Sequence, residues 1–551
     1  MAHLLLFKYR ESEYISSVIG ETFPNMAALL VFVSLLAILI TLIYFISKKK
    51  FSYWEKKNVP FIKPLPILGN YAKFMLLKQY PGQLLQELCR KFPNQPYFGA
   101  FYGTEPVLVV QSPEIVKDVL TKDFYYFNGR EASHYASKEI ATNNLFFASN
   151  DMWKVTRQNL TALFSSAKMK KMFYLIENCS HALEDMLEYG TTTRNNVIES
   201  RDLGARYTMD CICSCAFGIE SKAMGYEANN IFRIMATQIF EASNTRGLKT
   251  VLRAVWPAIF YGMKMQLFPS SIDEFFSKLL KGVFESRNHK PSHRNDFVDL
   301  VLTLKNDDYL VGDSIANSKT GKNEKVRIKV DDELLVAQCI LFFGAGFETS
   351  STTISFTLYE LAKNQKVQNR VIEEIDEYCK RRNNKLVYEC INELPYLSAA
   401  MYETLRMYPI FGVLTREVMD DYEFSTGLRV DKGVRVHIPI YHIHFNPDYF
   451  PDPEEYKPER FLPENKKDMK PYTFFPYGEG PRICIGSRFA KMQVMAGLMT
   501  ILKEYRVELA DGMPQSIKLD PRTLVTAPLH SGIQIKYTKR EGWENRRWVR
   551  T

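Results

Sequence analysis

The sequence has few cysteines for its length: nine among 551 residues, an odd number without the density of a disulfide scaffold. This excludes a small secreted disulfide-rich fold and indicates reduced thiols facing the cytosol. Cys211, Cys213 and Cys215 form the one cluster. A buried helix explains them better than a metal site, because no second pair of cysteines or histidines follows at ligand spacing.

Several other features are missing. The chain has no fixed-period repeat, and no long tract in which basic and aromatic residues alternate. The second absence argues against nucleic acid as the partner. The formal net charge of +9 therefore suits an anionic membrane surface or an acidic protein, with a solvated surface without a specific partner as the alternative.

Long uncharged runs are also rare, and the clearest one covers residues 27–46. Twenty such residues are enough for a helix to cross the bilayer, so we predict one N-terminal transmembrane anchor. Lysines are concentrated after this run, which places the following body in the cytosol. We interpret residues 1–25 as a polar extension, with Met26 as an alternative start, and residues 47–70 as a basic, proline-rich linker.

The rest of the chain alternates helical patterns with short polar breaks, which predicts a mainly α fold with small β-sheets (α+β). We place the catalytic domain at residues 71–539 and expect an unpacked C-terminal tail at 540–551. We predict an exposed loop at 305–329, rich in Asn, Gly, Ser and Lys. The strand-like stretches are residues 106–113, 435–443 and 531–538.

The most informative segment is FFPYGEGPRICIGSRFA, residues 474–490. Gly480 and Gly486 let the backbone approach a flat ligand, and Cys484 precedes a helical pattern whose N-terminus favours a thiolate. The segment resembles the haem-binding loop of the cytochrome P450 haem-thiolate monooxygenases. Tyr477 stands where that family typically has phenylalanine, which keeps the aromatic ring beside the sulfur. The resemblance implies the cytochrome P450 fold, with Cys484 as the axial ligand of the haem iron.

Further segments resemble this family, in the same order along some 350 residues. Trp153 and Arg157, one helical turn apart, resemble its pair that reaches the haem propionates. Glu403, Arg406 and Arg460 resemble its buried ion network, for which we expect a structural role. The resemblance adds two arginines that pair with propionates: Arg416 and Arg482.

A long apolar helical pattern covers residues 334–363 and is interrupted at 345–350 by Gly346 and a run of hydroxyl side chains. It resembles the oxygen-handling helix of the same family. Oxygen reduction consumes protons, and Glu348 and Thr349 are suited to relay them. These two residues are the predicted catalytic residues.

The resemblance implies a monooxygenase that binds haem b and acts on lipophilic substrates, most like the microsomal enzymes with which insects oxidise plant toxins and insecticides. The sequence has no dinucleotide fingerprint or flavin motif, so electrons from NADPH must come through a separate NADPH–cytochrome P450 reductase, with cytochrome b5 as a further possible donor. We expect the endoplasmic reticulum membrane as its location. The alternatives are an isomerase or dehydratase on the same fold, and a haem-binding sensor or electron carrier.

Two groups of residues complete the prediction. Apolar stretches expected to face the substrate are residues 143–150, 341–343, 409–414 and 523–530. Basic residues expected to meet the reductase, or else to be solvated helix charges, are Lys154, Lys168, Lys170, Lys171, Arg488 and Lys491.

Overall fold

The structure is a computed structural model, and the residues that it describes are 28–35, 37–38, 41–42, 44–193, 195–225, 227, 229–292, 296–529 and 532–550. They divide into two compact units. The first takes its residues from 1–72 and 99–106, and the second from 73–98 and 107–551. Every predicted site residue belongs to the second unit.

Helices account for most of both units. In chain order after residue 52 the α-helices are α1 Tyr53–Lys56, α2 Ala72–Met75, α3 Pro81–Cys89, α4 Pro113–Lys117, α5 Asn150–Thr161, α6 Ser166–Thr193, α7 Ser200–Ile212, α8 Ile231–Phe240, α9 Asn244–Val255, α10 Pro257–Gly262, α11 Ser270–Ser286, α12 Phe297–Asn306, α13 Asn317–Thr320, α14 Asp332–Lys363, α15 Gln365–Arg382, α16 Cys390–Glu393, α17 Pro395–Met407, α18 Ile440–His444, α19 Pro463–Lys466 and α20 Ser487–Glu504. Short turns of 3₁₀-helix include Phe124–Phe127, Pro458–Phe461 and Gly480–Arg482.

The strands are short, as predicted for small sheets. They are β1 Tyr97–Tyr102, β2 Glu105–Val110, β3 Val197–Glu199, β4 Tyr309–Asp313, β5 Lys325–Lys329, β6 Leu414–Glu417, β7 Tyr422–Glu423, β8 Arg429–Val430, β9 Arg435–Ile438, β10 Tyr505–Leu509 and β11 Gln534–Lys539. Within the second unit, β9 pairs in parallel with β2 and antiparallel with β6, where Arg416 lies opposite Val436. The three predicted strand stretches fall on β2, β9 and β11, although the end of the second one is helical, in α18.

The long helix α14 is the centre of the second unit and packs against α7, α11, α17 and α20. Of the helices in the described ranges, it alone is long and apolar enough to cross a membrane, yet most of it is buried in the protein. A helix that is apolar on nearly all sides is expected in the core of a large domain. We therefore interpret α14 as a core helix.

The predicted anchor lies only partly within the described residues. Those at 28–35, 37–38, 41–42 and 44–50 are helical, and large apolar side chains such as Leu30 and Phe32 are exposed. The extension at residues 1–25 and Met26 lie outside the described residues. The transmembrane anchor therefore stays a prediction.

The prediction of an exposed loop at 305–329 is right about exposure at most positions but wrong about the absence of regular structure. Strands β4 and β5 form an antiparallel hairpin there, with Tyr309 opposite Lys329. Leu310 is buried, and the strand packs against α5, where Gln158 Nε2 donates a hydrogen bond to Asp313 at 2.8 Å. The prediction relied on the many Asn, Gly and Ser residues. It overlooked the alternation of charged and apolar residues at 325–329, which is typical of a strand.

The expectation of an unpacked C-terminal tail is also wrong. The indole of Trp548 is buried, and its Nε1 donates to the Thr500 hydroxyl on α20 at 2.9 Å. The backbone N–H of Trp548 donates at 2.8 Å to Glu184 on α6, which also pairs with the buried Lys503. This tail, although rich in charges, packs because α6 and α20, which are distant in the sequence, both supply hydrogen-bond partners for it.

The clustered cysteines are core residues. Cys211 lies on α7, whereas Cys213 and Cys215 lie in the π-helical turn Cys213–Phe217 that follows it. All three thiols are buried. In the described part of the chain, no group of three or more His, Cys, Asp and Glu side chains is arranged to hold a metal ion.

Candidate haem-thiolate site

Cys484 lies in a loop whose own backbone holds it in place. Its N–H donates to the carbonyl oxygen of Tyr477 at 2.8 Å, and the N–H of Gly486 donates to the Cys484 sulfur. Gly480 has a φ of +72°, and a Cβ there would lie 1.9 Å from the carbonyl oxygen of Leu120, so the position requires glycine. Gly486 has an ordinary φ of −92° and is the N-cap of α20. The loop thus presents Cys484 just before a helix N-terminus.

The thiol of Cys484 faces a recess in the protein. It is exposed, whereas the other eight cysteines are buried, and yet burial raises its pKa. Both observations hold if the sulfur is open to space on one side and surrounded by protein on the others. The position of Cys484 before a helix predicts a lowered thiol pKa, and this prediction is wrong for the thiol alone. The Gly486 N–H and the charges of Arg157 and Arg130 do lower the pKa, but desolvation raises it by more. A metal ion bound by the sulfur removes that proton outright.

Arg482 ties the cysteine loop to the chain that enters α5. Its Nε donates to the carbonyl oxygen of Asn128 at 2.8 Å, and its Nη2 donates to that of Ala148. Its guanidinium lies over the buried ring of Trp153, 4.8 Å from the centroid. Arg482 and Trp153, which were both predicted as site residues, are therefore in contact.

Four arginines converge near the thiol. Burial lowers the pKa of Arg482 well below its usual value, and the charges of Arg130, Arg416 and Arg157 lower it further. Burial also lowers the pKa of Arg130 to about 9 and that of Arg416 to about 10. The Nε atoms of Arg130 and Arg416 are buried without a hydrogen-bond partner. Among the described residues, none of the four arginines forms an ion pair with a carboxylate.

Arg130 is missing from the prediction. It follows Asn128 and Gly129 in an irregular segment, and its guanidinium lies 3.7 Å from the ring centroid of Phe146. No spacing relates it to the other motifs, so only the folded chain shows that it joins Arg157, Arg416 and Arg482.

These residues fit a haem group. Buried charges of one sign are costly unless an opposite charge satisfies them. An iron porphyrin brings two carboxylates, which suit guanidinium groups, together with an iron that suits a thiolate. The Cys484 thiol therefore suits its iron, and the set Arg130, Arg157, Arg416 and Arg482 suits its carboxylates.

The middle of α14 has an unusual hydrogen-bond pattern, in which five consecutive carbonyl oxygens accept bonds from side chains. The donors are Thr349 to Ala345 at 2.9 Å, Gln493 to Gly346 at 2.7 Å, Thr208 to Phe347 at 2.9 Å, Ser351 to Glu348 at 2.9 Å and Thr353 to Thr349 at 2.9 Å. Such bonds loosen a helix without breaking it, and α14 is continuous across the residues that interrupt its apolar pattern at 345–350. Ala345 is exposed and Thr349 half-buried, which shows that this side of the helix borders open space.

Glu348 and Thr349 are not brought together. Neighbouring residues on a helix point about 100° apart. The Thr349 hydroxyl bonds back to Ala345, whereas the buried Glu348 carboxylate forms an ion pair with Arg201 on α7. The prediction lacks Arg201. A buried carboxylate requires a partner, but the sequence does not say which cation on another helix supplies it.

Glu403, Arg406 and Arg460 form one buried network. Arg406 donates to Glu403 from Nε at 2.7 Å and from Nη2 at 2.9 Å, and both side chains are 0% exposed. Arg460 Nε donates to the same carboxylate at 3.4 Å. The network joins α17 to the turn Pro458–Phe461, which leads into the segment before the cysteine loop.

We predict that Glu403→Gln lowers the free energy of unfolding by about 3–5 kcal/mol, because Arg406 is left as an uncompensated buried charge. The matched control is Glu459→Gln in the same turn, since Glu459 is half-exposed and pairs with the exposed Arg370 at 3.0 Å. Its loss should be below about 1 kcal/mol. Urea unfolding followed by circular dichroism measures both, and equal losses would contradict the structural role of Glu403.

Comparison with known proteins gives a consistent result. The family model described as Cytochrome P450 matches residues 59–535. Cytochrome P450 6k1 of Blattella germanica is 37% identical over 514 residues, which cover 92% of this chain and 96% of that protein. Cytochrome P450 6B2 of Helicoverpa armigera is 32% identical, covering 93% and 98%. Probable cytochrome P450 6g2 of Drosophila melanogaster is 31% identical, covering 93% and 99%.

Proposed function

Because this chain belongs to the cytochrome P450 family, we propose that it inserts one oxygen atom from O₂ into lipophilic small molecules, with xenobiotics such as plant toxins and insecticides as the substrate class. The family predicted from the motifs is confirmed. Its members are oxidoreductases of the monooxygenase type that bind haem b, and NADPH serves them through a partner reductase. The observation that carries the proposal is the Cys484 thiol, open on one side, together with four nearby arginines that form no ion pair with a carboxylate of the described residues.

In this proposal each residue of the site has a separate task. Cys484 would hold the iron, and Arg130, Arg157, Arg416 and Arg482 would hold the two propionates. When bound, haem supplies the activation of O₂, so that one atom enters the substrate and the other leaves as water at the expense of two electrons and two protons. Thr349 lies on the open side of α14 and holds water or a proton there. Once it leaves Arg201, Glu348 takes up a proton from water and passes it on, and is then ready to take up another.

The substrate space is bounded by aromatic and apolar side chains from stretches far apart in the sequence. The ring of Phe146 lies 6.0 Å from that of Phe411, and the N–H of Thr526 donates to the Ile410 carbonyl at 3.0 Å. Three of the predicted stretches therefore lie together. The stretch at 341–343 contributes less, since two of its three residues are buried in the helical core. This lining supports a lipophilic substrate.

Electrons need a partner, and we propose NADPH–cytochrome P450 reductase, with cytochrome b5 as a second donor. The six predicted docking cations lie on or beside the elements that carry the site, and each is exposed or half-buried. One of them, Lys170, also pairs with Glu389. Positive charge on this face suits an acidic partner surface.

We also propose that the enzyme is held at the endoplasmic reticulum membrane by the apolar segment at 27–46, with its catalytic domain in the cytosol. The described residues of this segment are helical and present apolar side chains outward. Lysines follow the segment, as expected for a cytosolic flank. A lipophilic substrate partitions into the same membrane.

Reconstitution tests the proposed function. Product from a lipophilic substrate panel should require NADPH, the reductase and O₂ together, with NADPH consumption that depends on the substrate. Conversion of organic peroxides without NADPH would instead indicate an isomerase or dehydratase. A haem spectrum without any turnover on the panel would indicate a sensor or electron carrier. Either of these results would contradict the monooxygenase proposal.

We predict that Thr349→Ala keeps haem but diverts reducing equivalents into hydrogen peroxide, because the hydroxyl that holds water or a proton beside the open face is lost. Product per NADPH consumed should fall about tenfold, which is below the ~10²–10⁴-fold that a fully positioned general acid or base contributes. The matched control is Thr357→Ala on the same helix, where the buried hydroxyl bonds back to the Thr353 carbonyl at 2.7 Å. Tight coupling in Thr349→Ala would contradict the role of Thr349.

A further inference from the structure

His444 is a buried histidine at the end of α18 that neither the motifs nor the proposed mechanism uses. Its ring lies between the buried ion network and the cysteine loop. On one side, Arg406 Nη1 donates to the His444 carbonyl oxygen at 2.9 Å, and His444 Nδ1 lies 3.1 Å from the Arg406 carbonyl oxygen. On the other side, the backbone N–H of Phe475 donates to His444 Nε2 at 3.1 Å. One side chain therefore connects two parts of the site.

The contacts define the protonation state of the ring. Burial lowers the pKa of His444 to about 3, and the charge of Arg406 lowers it further, so the ring is neutral near neutral pH. A neutral imidazole has one donor and one acceptor nitrogen. Because Nε2 accepts from Phe475, Nδ1 carries the proton and donates to the Arg406 carbonyl. That carbonyl belongs to the last turn of α17, where a helix leaves carbonyl oxygens without partners.

The acceptor bond at Phe475 holds the start of the cysteine loop. Phe475 stacks on the His444 ring at 6.1 Å with an interplanar angle of 9°, and its carbonyl accepts from the Gly478 N–H at 3.2 Å. Tyr477, between them, provides the carbonyl that accepts from the Cys484 N–H. Two backbone hydrogen bonds, Gly478 to Phe475 and Cys484 to Tyr477, therefore link the position of Phe475 to the backbone of Cys484. Arg482 anchors the other end of this loop, so His444 supplies its second fixed point.

We propose that His444 is a positioning residue, whose Nε2 acceptor fixes Phe475 and thereby holds the Cys484 sulfur in the position in which it would bind the haem iron. The inference rests on the proposed role of Cys484 as the iron ligand. Its ring transmits the rigidity of the Glu403–Arg406 pair to the loop. If Nε2 is lost, the buried Phe475 N–H is left without an acceptor, which is costly, and the loop relaxes to find another.

Three substitutions in the full-length holoenzyme separate the acceptor from general packing. His444→Gln keeps an acceptor that reaches the Nε2 position. His444→Asn keeps a donor near the Nδ1 position but cannot reach Phe475, and His444→Leu keeps neither. The control is His442→Gln two residues away on α18, because His442 is half-buried and its side chain forms no hydrogen bond with the cysteine loop among the described residues.

The measurement is the reduced carbon monoxide complex, followed as its thiolate-type spectrum changes to the thiol type in dilute guanidinium chloride. We expect His444→Asn and His444→Leu to convert about tenfold faster than the unsubstituted protein, as for the loss of one buried hydrogen bond. His444→Gln and His442→Gln should stay within about twofold of it. Circular dichroism in the same solutions reports whether the fold as a whole is lost.

Two results would overturn the inference. One is a conversion rate that is unchanged in all three His444 variants. The other is an equal increase of the conversion rate in all three variants, His444→Gln included, together with loss of the helical circular dichroism signal. This result would show that the ring only fills space. If the unsubstituted protein has no thiolate-type spectrum, Cys484 itself is rejected as the ligand, and the positioning role is rejected with it.

Discussion

Four arginine side chains, Arg416 and Arg482 buried and Arg130 and Arg157 half-buried, have no carboxylate partner among the described residues, and this is the constraint on which the site depends. Arg130, Arg157, Arg416 and Arg482 come from four separate segments, and each is desolvated by the fold. Such an arrangement is stable only with an anionic guest. A group with two carboxylates and a metal centre would satisfy the arginines and the thiol at once. The same set of residues therefore explains both the binding of such a group and its position beside Cys484.

The surrounding fold provides rigidity where the site needs it and looseness where chemistry needs it. The Glu403–Arg406 pair is fully buried, and with the half-buried Arg460 it fixes the chain before the cysteine loop. In contrast, the middle of α14 gives five carbonyl groups extra hydrogen-bond partners, which weakens the helix at the face that borders open space. Glu348 is held by Arg201 away from that face, so the proposed delivery of protons by Glu348 would require this ion pair to open.

Local spacing predicted much of this site, because Cys484 with its glycines, the Trp153–Arg157 pair and the Glu403–Arg406 pair each lie within one loop or helical turn. Arg130, Arg201 and His444 were not predicted, since their partners are brought to them only by tertiary packing. The same reason explains the errors elsewhere. Polar composition predicted a loop at 305–329 and an unpacked tail, whereas α5, α6 and α20 supply partners that order both segments.

The most direct test is the reduced carbon monoxide spectrum of the purified full-length protein and of Cys484→Ala, with Cys390→Ala as the control for a buried cysteine that lies outside the site. The account predicts the thiolate-type spectrum in the unsubstituted protein and in Cys390→Ala, and its complete loss in Cys484→Ala. A thiolate-type spectrum that persists in Cys484→Ala would contradict the central claim that this sulfur holds the iron.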